Sequence, residues 1–205
     1  MNKKRKRFIT IIVIIIIVAL LLILKPDVSP HEVTQRKTIT LYQTKINADK
    51  PFLVELALIE DIANGLEKIN MTYAKNGEDI YTRVDGLLSV GTLKKDGKFY
   101  TIYHDNKTYK LNEDMDYSND FILFDKSIAD MNYSDFESGL AEIMGAQYSY
   151  EEIKKDDDII RFYYNIYDGA FEYLEIKENI FEVVKCTNEV DEKLFEIPDN
   201  YAKEE

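Results

Sequence analysis

Apolar and polar positions fall into three regimes along this chain. Residues 8–24 read FITIIVIIIIVALLLIL, an unbroken apolar run in which Thr10 is the one polar side chain. Residues 25–37 (KPDVSPHEVTQRK) hold two prolines and show no apolar period. From residue 38 onward apolar and polar side chains alternate with period two, as half-buried strands require. This alternation predicts strands over residues 38–46, 52–60, 66–73, 79–84, 87–93, 98–103 and 108–111. Asn64-Gly65, Asn76-Gly77, Asp85-Gly86, Asp96-Gly97 and the polar stretch at residues 104–107 separate them. Asn-Gly and Asp-Gly tolerate the positive φ of tight hairpins, so the spacing predicts an antiparallel meander.

The middle of the chain departs from this pattern. Ser134 and Glu137 stand in capping-box spacing, and Phe136, Leu140, Ile143 and Met144 then fall on one helical face that Gly145 ends. A helix is predicted there, after an acidic stretch at residues 113–131 that reads as loop with a second short helix. Four further strands are predicted over residues 147–153, 158–167, 170–176 and 180–186. Asp156, Asp157 and Asp158 mark a charged hairpin tip, and Asp168-Gly169 a turn. In the strand at 158–167, Ile160, Phe162, Tyr164 and Ile166 share one face and Arg161, Tyr163, Asn165 and Tyr167 the other. Eleven strands and a helix in one stretch without a Gly/Ser linker make one mainly β domain with minor α (α+β). Its sheet is large enough that it must curl or be covered.

The apolar run sets the location. Seventeen residues at about 1.5 Å each span roughly 25 Å, and Lys25 can extend the span by snorkelling. Lys3, Lys4, Arg5, Lys6 and Arg7 precede it, which holds the N-terminus in the cytoplasm and exports the rest. A cleavable signal wants a shorter core and a small-x-small site, whereas only Ala19 is small near its end and Lys25-Pro26 follows. A lipoprotein signal wants a Cys just after the run, and the only Cys is Cys186. The organisation expected is therefore a cytoplasmic basic tail at 1–7, a transmembrane signal anchor at 8–24, a tether at 25–37 and an extracytoplasmic domain at 38–205. The protein is expected in the cell membrane as a single-pass chain, with the bilayer a partner through residues 8–24.

Charge narrows the partners further. The chain carries 26 Lys and Arg against 38 Asp and Glu. Residues 1–25 hold six of those cations and no acid, so 20 cations face 38 acids beyond them, a net of −18. A domain this acidic repels phosphate backbones, and no nucleic acid is expected.

Catalytic chemistry is not evident. Gly86-Leu87-Leu88-Ser89-Val90-Gly91 has the wrong spacing for a nucleophile elbow. His31 lies in the tether and His104 in a hairpin turn, with no pattern bringing either to Ser89. The residues Asp114, Asp116, Ser118 and Asp120 alternate as calcium ligands do, but a calcium loop wants Gly and Glu where Asn119 and Asp125 stand. Cys186 alternates within a strand pattern as a small half-buried side chain. No catalytic, metal or cofactor-binding residue is assigned, and neither a cofactor nor an enzymatic activity is expected. The 15 Tyr and 10 Phe suit a half-buried sheet surface, and a binding face equally.

One export signal, a long meander, a helical insertion and more strands form a recognisable order. Residues 94–100 read Lys-Lys-Asp-Gly-Lys-Phe-Tyr, and the chain closes on Phe195-Glu196-Ile197-Pro198-Asp199-Asn200-Tyr201. In these features the chain resembles the lipoprotein-localisation (LolA-like) superfamily, as a membrane-anchored Gram-positive relative. The resemblance implies a curved half-barrel with a helical plug, whose concave face holds a lipid-like or peptide ligand or a partner protein. A sensory or regulatory ectodomain acting by protein–protein interaction is the alternative. The lipobox Cys of lipoprotein members is absent. Arg83 and Arg161 are the strand positions at which the arginine of the lipoprotein carriers could fall. The closing motif predicts that Phe195 and Ile197 lock into the main core and that the tail beyond Tyr201 is loose.

Overall fold

The computed structural model describes residues 36–46, 49–59, 69–112, 122–155 and 157–204. Residues 8–24, the tether up to residue 35, and His31, Asn64-Gly65, Asp114, Asp116, Ser118, Asp120 and Asp156 lie outside them. Among the described residues no helix is long and apolar enough to cross a membrane.

The strands are β1 Phe52–Leu58, β2 Asn70–Asn76, β3 Asp79–Asp85, β4 Ser89–Lys95, β5 Lys98–Tyr103, β6 Thr108–Asn112, β7 Glu137–Ile143, β8 Ala146–Lys155, β9 Asp158–Asn165, β10 Phe171–Ile176, β11 Asn179–Thr187 and β12 Ala202–Lys203. They form one large, open, curved sheet in the order β12-β6-β5-β4-β3-β2-β1-β11-β10-β9-β8-β7. Two antiparallel meanders, β1–β6 and β7–β11, are joined where β1 pairs with β11, Val54 opposite Cys186. The pairing slips at Glu55/Leu56, and again between β10 and β9 at Phe171/Tyr173. Bulges of this kind sharpen the local twist and bend the strand. The short β12 runs parallel to β6.

The turn signals at Asn76-Gly77, Asp85-Gly86, Asp96-Gly97 and Asp168-Gly169 each fall at the junction of consecutive strands. Asp96-Gly97 closes β4–β5 with both residues at positive φ (50° and 72°), as a two-residue hairpin turn needs. Lys177 and Glu178 adopt the same conformation between β10 and β11 without a glycine.

Residues 38–46 are not a strand. They lie in and just after a helix, α1, spanning Lys37–Thr44, which buries Thr38, Ile39, Leu41 and Tyr42. Those four follow helical spacing, and the Ile39–Leu41 alternation alone mimics a strand. The predicted helix after Ser134 is likewise overturned. A 3₁₀ turn at Tyr133–Asp135, with the Asp135 carboxylate accepting from the Asn132 backbone N–H (2.7 Å), leads into β7. The hairpin turn Met144-Gly145, with φ 51° and 80°, then pairs β7 residue by residue with β8. Leu140 and Met144, expected on a buried helical face, are exposed. Further 3₁₀ turns at Ile122–Phe124 and Lys126–Asp130 occupy the described part of the acidic stretch.

The core lies on both faces of the sheet. On one, α1 and the turns at 122–130 close over the middle strands, and Tyr42, Phe52, Leu56, Phe162 and Leu174 are each under 2% exposed. Each such side chain contributes roughly 1.5–3 kcal/mol on leaving water. On the other face, over β1–β6, the C-terminal segment packs Phe195 among Leu53, Ala74, Tyr81, Leu93 and Ile102. Phe195 is thus fixed as the closing motif predicts, with Ile197 in the same cluster and Glu196 exposed. This cluster, however, is separate from the larger one under α1. The tail is also not loose after Tyr201: Ala202 N–H donates to Lys107 O and Glu204 N–H to Tyr109 O (2.9 and 2.8 Å).

A candidate ligand groove beside α1

Nothing in its own sequence caps the N-terminus of α1. Arg36 precedes it with no side-chain cap, and the first turn holds no acid. The buried carboxylate of Glu151 on β8 takes that role, accepting from the backbone N–H groups of Lys37 (3.0 Å) and Thr38 (2.8 Å). A carboxylate there satisfies orphan donors and meets the positive end of the helix dipole. The hydroxyls of Thr38 and Tyr164 bond at 2.8 Å. Burial drives the Tyr164 hydroxyl well above its ordinary pKa, so it stays protonated. Arg36 lies 3.7 Å over the Tyr133 ring and donates to the Tyr133 and Phe136 carbonyls, at 3.1 and 2.9 Å. Its partners include two aromatic faces, Tyr133 and Phe136, and two main-chain oxygens.

This anchoring leaves a groove of about 270 Å³ between α1 and the β9–β10 turn. Thr40, Leu41 and Thr44 form one wall, Gly169, Ala170 and Phe171 the other, and Tyr164 lines the interior. Lys37 and Lys45, at the two ends of α1, complete the lining. The Lys37 ammonium donates to Ser149 Oγ (3.2 Å) and lies 5.3 Å from the Tyr164 ring centre. Gly169 turns the chain at φ 73°, and a Cβ there would touch Lys37. At the other end, Asn188 Nδ2 donates to the carbonyls of Lys45 (2.8 Å) and Pro51 (2.9 Å), holding the helix exit. An apolar, aromatic trough with a cation at each end suits a molecule with an apolar body and an anionic group.

The directly covered face beneath α1 is filled by side chains, so the open volume lies at the helix flank. Neither candidate arginine reaches it. Arg83 is on the face opposite α1, paired with Asp85 at 2.8 Å. Arg161 also faces away from α1, bonded to Glu152 (2.7 Å) and Glu175 (3.2 Å). The Glu152 bond holds its guanidinium charged above the ordinary range.

Ser89 and His104 do meet: the His104 backbone N–H donates to Ser89 O (3.0 Å) at the end of the β4–β5 ladder. Their side chains have other partners. Ser89 Oγ donates to Asp85 Oδ1 (2.5 Å), and the ring nitrogens of His104 contact the hydroxyls of Tyr81 (3.1 Å) and Tyr201 (3.0 Å). Burial, then Arg83, lowers the His104 pKa. Burial works against the Asp85 carboxylate, but the bonds from Ser89 and Arg83 prevail and keep it low. The cluster fastens the C-terminal segment to the sheet. Cys186 is free and half-buried, its thiol raised by burial. Among the described residues no three His, Cys, Asp or Glu side chains are placed to hold a metal.

Sequence reasoning passed over Glu151, Lys37 and Lys45. Glu151 had a signal: it occupies the inward phase of β8 with Ile153, where a carboxylate needs a buried partner. The lysines had none.

No family model and no curated protein matches this chain. Among solved structures it is similar to an uncharacterized conserved protein from Thermus thermophilus, with a TM-score of 0.41 and 10% identity over 76% of this chain and 90% of that one. It is also similar to PNGF-II, with a TM-score of 0.28 and 9% identity over 76% of this chain and 31% of that one.

Proposed function

We propose that this chain is a membrane-anchored extracytoplasmic binding module that holds a lipid-like ligand with an anionic end. Residues 8–24 supply the anchor. The domain beyond is a half-barrel of the LolA-like kind, with α1 and the turns at 122–130 as its plug. The observation that carries the reading is the groove: lysines at both ends of an aromatic trough, on a chain with a net charge of −12. Long-range electrostatics alone would repel an anion from such a surface, so local cations are what a bound anionic group requires. Native mass spectrometry of residues 26–205 for co-purifying lipid tests it. A bound anionic amphiphile, lost when Lys37 and Lys45 are both replaced by Glu, is expected. Apo protein that also fails to take up an added fatty acid would defeat the reading.

The filled core under α1 favours a second reading, a sensory or regulatory ectodomain that binds a protein partner. That reading predicts a ligand-free domain and a partner captured by cross-linking at the groove rim.

A further inference from the structure

The two edges of the sheet are treated differently. At one, the chain's own β12 covers β6. At the other, β7 pairs with β8 alone among the described residues. β7 has seven residues (ESGLAEI) in unbroken register with β8, and it contains no Pro, no Lys and no bulge. These are among the devices that blunt an exposed edge, and the two charges β7 does carry, Glu137 and Glu142, stand at or next to its ends. Its centre is small and apolar: Gly139, over which the Tyr150 ring lies, then Leu140, 61% exposed, then Ala141.

The register fixes which backbone groups are open. The two-residue turn Met144-Gly145 closes on Ile143 and Ala146 as a hydrogen-bonded pair. Hydrogen-bonded and open pairs then alternate, so Ile143, Ala141, Gly139 and Glu137 turn their N–H and C=O groups to β8. Ser138, Leu140 and Glu142 turn theirs outward.

We infer that β7 pairs with β7 of a second copy of this chain, antiparallel about a two-fold axis at Leu140. In that register Leu140 faces Leu140 and Ser138 faces Glu142, and all three outward residues of each strand find partners. The exposed leucines cover one another. Sliding one strand by two residues sets Leu140 against Glu142 or against Ser138 and carries one outward residue of each strand past the end of its partner, so one register pairs every outward residue and lets the two leucines cover each other. The isologous contact closes as a dimer. This inference stands apart from the ligand groove.

Disulfide trapping on the full-length chain in cell membranes tests it, in a Cys186→Ser background with copper-phenanthroline as oxidant. Hydrogen-bonded antiparallel pairs have Cα atoms about 5.5 Å apart, within disulfide reach. Leu140→Cys should give a band of doubled mass. Ser138→Cys alone should give less than a tenth of that yield, since two copies of residue 138 would lie about 14 Å apart at ~3.4 Å per residue. Co-expressed Ser138→Cys and Glu142→Cys chains should cross-link to one another. Equal yields at residues 138 and 140, no dimer at Leu140→Cys, or an adduct there to a different protein would each overturn the inference.

Discussion

The carboxylate of Glu151 stands 2.8 Å from the backbone nitrogen of Thr38, across 113 positions of sequence. One strand residue thereby decides that α1 begins where it does. Replacing Glu151 with Ala leaves two helix N–H groups without their acceptor and should cost about 2–3 kcal/mol. Glu151→Gln, which keeps an acceptor but loses the charge, should cost about 1 kcal/mol. Urea midpoints of residues 36–205 measure both. Equal midpoints for wild type and Glu151→Ala would mean that water caps the helix as well as the carboxylate does.

Phe195 fills the second core, on the face opposite α1. Phe195→Ala should destabilise the domain by about 3–4 kcal/mol, as large-to-small core changes do. The exposed neighbour Glu196→Ala should stay within about 0.5 kcal/mol. The same unfolding assay compares them.

His104 gives the domain a pH dependence. Its pKa in the fold is lowered from 6.5 by burial. The unfolded chain therefore binds the proton more readily. The contribution of His104 is fully present above pH 6.5 and is lost as pH falls toward the folded value. Wild type should lose more stability than His104→Gln between pH 7.5 and pH 5.5, measured as the difference in urea midpoints. Parallel curves for the two proteins would remove His104 from the account.

Lys37 and Lys45 should govern affinity for anionic amphiphiles. With a dansyl-labelled fatty acid as probe, Lys37→Glu/Lys45→Glu should bind at least tenfold more weakly, about 1.4 kcal/mol. The uncharged methyl ester should bind the two proteins alike. An equal loss for acid and ester would point to a collapsed groove rather than to charge.

The hairpins were legible because their turns are local: Asp96-Gly97 alone fixes the register of β4 on β5. The helix α1 was not, because Ile39 and Leu41 fit either period and the deciding cap comes from Glu151, far along the chain. The strand β7 was misread because Ser134 and Glu137 satisfy a local capping pattern, whereas pairing with β8 through Met144-Gly145 is stronger. At β12 the pair Ala202-Lys203 offers one methyl group and no apolar alternation, so only backbone pairing to β6 reveals the strand. The groove follows the same division. Tyr164 and Phe171 were readable as sheet aromatics, while the space between them and Lys37 exists only once α1 is a helix.

The seam between β1 and β11 has a kinetic consequence. Each meander is made of neighbours in sequence, but Val54 and Cys186 are brought together from opposite ends of the domain. Closing that long loop costs entropy that no hairpin repays in advance, so the two meanders should form first and the seam last. Cys186 sits on the seam and is the only thiol in the chain. During refolding it should stay open to a thiol reagent after most strand signal has returned, and then become protected in a single late step that times the joining of the two halves.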